Sequence, residues 1–214
     1  MSLGHTHLGR MYPARYCNSD MLRSTFTRLS VITCGMCAAF LTKPGPALAE
    51  QMTRYTGTPD LALTSAMVAA GGGPTNFDSA HLFGVLAGTH ANDELAQLTQ
   101  IYGSSRVHAF IGTFTYAIDD ALKVATSAGV TLPSPSPALV SDGRQLSAQL
   151  YNAGVMSDGR FDIGYMIEHL VSRPVHVAIM KDINDNPQYG PQVNADFHVI
   201  LTRTMQDLKS LYSL

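Results

Sequence analysis

"SSRVHAFIGTFTYAIDDALKVATSAG", residues 104–129, carries Val107, Phe110, Ile111, Phe114, Ile118, Leu122 and Ala125 three or four positions apart. That spacing puts them on one helical face. With Ser104 or Ser105 as a cap and Gly129 as a stop, the stretch predicts an amphipathic helix of some 24 residues. An all-α fold class follows if the flanking segments repeat the pattern.

They do. Downstream, "VTLPSPSP" breaks the chain with three prolines before a shorter helix near Ala138 to Asn152. A third helical pattern starts at Ser157 or Asp158 and keeps Phe161, Tyr165, His169, Ile179 and Ile183 in phase. A fourth runs from about Gln192 through Val193, Phe197, Ile200, Leu201, Thr204, Leu208 and Leu211. The strand-like "PVHVAIM" lies inside the third pattern. Upstream, "DLALTSAMVAA" predicts a short helix stopped by Gly71-Gly72-Gly73-Pro74, and residues 75–103 predict one long helix with Thr75 or Asn76 as cap and Gly103 as stop. Four long amphipathic helices with short or Pro-rich connections point to an antiparallel bundle carrying an extra N-terminal helix.

Pro174 divides the third pattern. A proline in a helix interior costs about 3 kcal/mol, so the helix either kinks there or stops and restarts with Ser172 as N-cap and Pro174 in its first turn. His169 and His176, seven residues apart, share a face only in the first case.

The 214 residues, 45% hydrophobic and 14% charged, suit one folded domain and lack the Lys/Arg excess of a nucleic-acid binder. From a start at Met21 the chain reads as a Sec-type signal peptide. Arg23 and Arg28 are basic, "VITCGMCAAFLT" is apolar but too short to span a bilayer, and Ala47-Leu48-Ala49 offers a cleavage site. His5 and His7 lie ahead of that start. Cleavage after Ala49 would remove Cys17, Cys34 and Cys37, so the Cys34–Cys37 spacing is neither a redox nor a zinc motif. It would also remove five of 14 Lys/Arg and one of 16 Asp/Glu, leaving a mature net charge of −6. The expected organisation is an upstream extension and signal peptide over 1–49, a lead-in and short helix over 50–76 and a bundle over 77–214, in the periplasm or secreted. Nucleic acid and an integral membrane span are not expected for such a chain; a small apolar ligand or an envelope protein is the expected partner.

Val107 and Phe110 opening a helix, Gly129 with Leu132 and Pro133 closing it, Phe161, Asp162 and Tyr165 opening the next, and Asn186-Pro187 before the last form a pattern. Over roughly residues 77–214 it resembles the secreted ferritin-like domains of unknown function labelled predicted outer membrane proteins. The resemblance implies a ferritin-like four-helix bundle outside the cytoplasm and little defined chemistry. Where that family tends to carry Asp-His in the second helix, this chain has Ala117-Ile118. Where it tends to carry histidine twelve residues after the Phe of Phe-Asp, this chain has Arg173.

A ferritin-like di-iron centre needs Glu from two helices and Glu-x-x-His from two more. The chain has no Glu-x-x-His, and beyond the cleavage point only Glu50, Glu94 and Glu168. A single Zn, Cu or Ni ion could be held by His169 together with Glu94, Asp119, Asp120, His176 or His198. The competing reading makes His169 a core histidine and His90–Glu94 an exposed helical pair. No Gly-x-Ser-x-Gly elbow is present, and "GGGP" lacks a phosphate loop's Gly-Lys-Ser/Thr. The leading expectation is therefore a secreted, non-catalytic, ferritin-like binding or envelope-stress module. A periplasmic metal-binding storage or redox protein comes second, and an all-α hydrolase third.

Overall fold

The computed structural model describes residues 54–186 and 190–214. The expected signal peptide, its cysteines, Glu50 and Pro187 lie outside the described residues. Within them the fold is all-α, with no strand; an isolated bridge pairs Val155 with Phe161.

Aspartate starts much of this structure. Asp60, Asp78, Asp142 and Asp162 each accept a hydrogen bond from a first-turn amide, opening α1 (Leu61–Ala70), α2 (Ser79–Ala87), α6 (Gly143–Gly154) and α7 (Ile163–Val171). The remaining helices are α3 (Ala91–Tyr102), α4 (Ser104–Ser127), α5 (Pro137–Ser141), α8 (Arg173–Asp185) and α9 (Gly190–Leu211). α4 has the predicted 24 residues. It closes in a Schellman turn: Gly129 has φ +76° and the Val130 amide reaches back to the Ala125 carbonyl at 2.9 Å.

Several expected long helices are segmented instead. The continuous helix expected over 75–103 starts only after Asp78 and is broken at Gly88, where φ is +56° and one 3₁₀ turn intervenes. The break frees the Leu86 carbonyl, which accepts from the Tyr212 hydroxyl at 2.7 Å and the Ser147 hydroxyl at 3.2 Å. Tertiary partners more than 60 residues away thus replace the helical bond. The helix expected near Ala138 divides at Asp142 into α5 and α6. There Gly143 passes so close to α2 that an added Cβ would lie 1.8 Å from the Val85 carbonyl oxygen. The third pattern stops at Ser172 and restarts with Pro174 in the first turn of α8, and "PVHVAIM" is helical. The fourth becomes α9.

α4 packs against α8 and α9, α9 also against α6 and α8, and α6 against α7. Phe110, Phe114 and Phe197 meet where α4 crosses α9, with ring centroids 5.8–6.2 Å apart. Phe197 is 1% exposed, and its burial contributes about 2–3 kcal/mol. Ala117 and Ala121 admit Ile179, Met180 and Ile183 of α8 into a second cluster. α1 is buried around most of its surface. Its polar side chains stay bonded: the Thr64 hydroxyl donates to the Leu170 carbonyl at 2.6 Å and the Ser65 hydroxyl to that of Pro133 at 2.6 Å.

Candidate functional site

The corner between α7 and α8 is built around a carboxyl in an apolar run. Glu168, in "IGYMIEHLV", is 0% exposed. Its Oε2 accepts the Tyr55 amide at 2.6 Å, and its Oε1 accepts from the Arg173 guanidinium and faces His176 Nδ1 at 3.1 Å. A buried carboxylate with three donors is far less costly than an unpaired one. His176 is also fully buried, and burial pushes its pKa below the usual histidine value against the attraction of Glu168. With Nδ1 donating to Glu168, Nε2 is an acceptor lacking a partner among the described residues.

Ser172 makes the turn, with φ +85° and ψ +154°, a conformation otherwise almost confined to glycine. The segment 55–60 straps the corner from outside. Tyr55 stacks on His169 with centroids 4.3 Å apart and meets Tyr165 edge-on, and the Asp60 amide donates to the His169 carbonyl at 2.8 Å.

Between this strap, α1, the C-terminal half of α4 and the α7–α8 corner lies a groove of about 490 Å³. Leu61, Val68, Leu122, Ala125, Leu170 and Val175 represent its mostly aliphatic wall, to which Thr58, Thr64 and Ser172 add hydroxyls. The volume falls within the roughly 300–1,000 Å³ of small-molecule sites, which are likewise apolar with a few polar groups. Neither Glu168 nor His176 lines it.

The proposed metal ligands are scattered. His169 is half-buried, with Nδ1 3.1 Å from the Ala153 carbonyl oxygen and its ring under Tyr55, whereas His176 faces Glu168. The break at Ser172 explains why the two histidines serve different neighbours. Asp119 pairs with Lys123 at 2.5 Å on the flank of α4, and Asp120 is half-buried beside it. His198, on α9, has its pKa lowered by burial, opposed by Asp162. Glu94 is buried on α3 while His90 is exposed, so the expected exposed pair does not form. Among the described residues no three His, Cys, Asp or Glu side chains gather to hold a metal ion. Ala117 and Ile118, where the family resemblance leads to Asp-His, are packing residues.

Glu94 forms a second buried acidic centre. Its Oε1 has no partner among the described residues, and its pKa is pushed up to about 7 by burial and by Asp207, against the opposing pull of Arg203. Arg203 is itself bonded to Asp207 at 2.5 Å.

The sequence sets Glu168 beside the spaced histidines and Arg173 at the family's histidine position but gives neither its role at this corner, and it leaves Tyr55 unmarked. A charge in the middle of an apolar helical run was the available signal for the first. Nothing local marks Tyr55, whose partner is 113 residues away. In comparisons with known proteins, the chain matches no family model, no curated protein and no solved structure.

Proposed function

We propose that this chain is a non-catalytic binding module acting in the periplasm or outside the cell, and that it takes an apolar small molecule in the groove between α1, α4 and the α7–α8 corner. The observation that carries the reading is the groove itself: a concavity of ligand size whose aliphatic wall is framed by a tightly bonded corner. The Glu168–His176 pair has the composition of a base and its orienting acid. A fully buried imidazole, however, cannot meet a substrate unless the corner opens. We assign the pair the role of holding the corner.

The architecture belongs to the same reading. Because the expected bundle helix over 75–103 is broken into α2 and α3, the four members of a ferritin-like bundle would instead be α4, α6, the interrupted α7–α8 pair and α9, with α1–α3 added at its N-terminal side. Export would place the module among envelope lipids and proteins, and an exported chain beginning at Glu50 on N-terminal sequencing would support it.

The direct test uses the neutral fluorophore N-phenyl-1-naphthylamine. The full chain should bind it saturably, and Ala125→Trp, which fills the half-buried α4 wall, should weaken binding about tenfold or more at unchanged helicity. No saturable binding, or equal binding by the variant, refutes the assignment.

A further inference from the structure

The groove wall has a charge pattern as well as a shape. Its residues include no Asp, Glu, Lys, Arg or His, although charged residues adjoin them in sequence. Around the corner these are Glu168 and Arg173, bonded to one another; along α4 they include Asp119 and Lys123, also paired; and Asp60 caps α1. A ligand bearing a net charge would lose water and find no counter-charge on this wall.

The polar groups are also segregated. Thr58, Thr64 and Ser172 lie on the side of the strap and corner, whereas α4 and the segment after it contribute Leu122, Val124, Ala125, Val130 and Leu132. The Thr64 hydroxyl is engaged with the Asp60 and Leu170 carbonyls. Thr58 and Ser172 have no side-chain hydrogen bond among the described residues.

Ser172 stands out further by its backbone. The α3–α4 corner makes nearly the same turn at Gly103, with φ +84° and ψ +148° against +85° and +154°. Glycine adopts that conformation freely. Serine does not, so the α7–α8 corner keeps a strained residue at the groove, and such residues cluster at active sites and ligand clamps.

We propose, building on the groove reading above, that the occupant is an uncharged amphiphile: an aliphatic body along the α4 wall and one hydroxyl or carbonyl oxygen hydrogen-bonded at Ser172 and Thr58. A long-chain alcohol and a monoacylglycerol share this chemistry; a free fatty acid and a cationic amphiphile do not.

The experiment displaces bound N-phenyl-1-naphthylamine from the full chain with dodecanol, laurate and dodecyltrimethylammonium, each below its aggregation limit at pH 7.5, with a monoacylglycerol as a second neutral probe. Dodecanol and the monoacylglycerol should displace the fluorophore, and both ions should be weaker by about tenfold or more. Ser172→Ala keeps the side chain small and removes only the hydroxyl. It should weaken dodecanol several-fold and the fluorophore, which has no hydroxyl, by clearly less, so the ratio of the two affinities is the readout. Laurate or the cation matching dodecanol overturns the neutral-ligand assignment while leaving the groove intact. Equal dodecanol affinity in folded Ser172→Ala overturns the head-group assignment, and should that variant unfold, Thr58→Ala reads the same outcome. Absence of fluorophore binding removes the groove reading and this proposal together.

Discussion

Glu168 and Glu94 are both buried, at 0% and 5% exposure, and the molecule treats them in opposite ways. Glu168 is met by three donors: a backbone amide, a guanidinium and an imidazole. Glu94 faces another acid, leaves one oxygen without a partner among the described residues, and is held near neutrality by a carboxyl pKa of about 7. Donors make the α7–α8 corner a fixed frame. Proton uptake makes the α3–α9 seam a pH-dependent one.

The largest effect expected on breaking this contrast is at the corner. Glu168→Ala would leave His176 buried and Arg173 half-buried without their acceptor and release the Tyr55 amide, destabilising the fold by about 3 kcal/mol or more in urea denaturation at pH 7. A loss below about 1 kcal/mol would mean that the three donors contribute little.

Glu94→Gln should act in the other direction. The native carboxyl pKa, about 7, lies above its ordinary 4.5, so the folded state binds more protons across that window and stability falls as pH rises through it. Glutamine mimics the protonated acid. The variant should match the wild type near pH 4.5 and be more stable by of order 1–3 kcal/mol at pH 8, removing the downward slope.

His176 supplies a slope of opposite sign. Its folded pKa lies below the ordinary 6.5, so its contribution is complete above pH 6.5 and lost as pH falls below it. In the background of Glu94→Gln, substitution of His176 by Gln should flatten the remaining dependence below pH 6.5. Persistence of that slope would place the acid sensitivity elsewhere.

A smaller effect compares the two corners. Ser172→Gly should stabilise by about 1 kcal/mol by relieving the positive φ, and Gly103→Ala should destabilise by a similar amount at the same turn. Thermal melts of the two variants give the comparison, and shifts of the same sign would contradict it.

What the sequence disclosed follows from the range of the forces involved. α4 was legible because its apolar period and its stop at Gly129 lie within one segment, although its N-cap is Gly103, without a side-chain bond, rather than Ser104 or Ser105. α1 was legible from its short apolar run and the glycines that stop it for the same reason. The break at Gly88 was hidden because the groups that take the Leu86 carbonyl come from α6 and from beyond α9. The corner at Ser172 was half legible: Pro174 signals a break, but nothing local says that Glu168, His176 and a distant amide close around it. His169 and His176 attract attention as a spaced pair, yet backbone geometry separates them. The groove has no local signature, since its walls come from three separated segments.

The most direct measurement of the central claim is amide hydrogen exchange of the full chain with and without N-phenyl-1-naphthylamine. We predict added protection in the strap before α1, in residues 121–127 of α4 and across residues 170–175. The α3–α9 seam around Glu94 and Asp207 should not change. Protection confined to that seam, or none at the corner despite saturating fluorophore, would contradict the account.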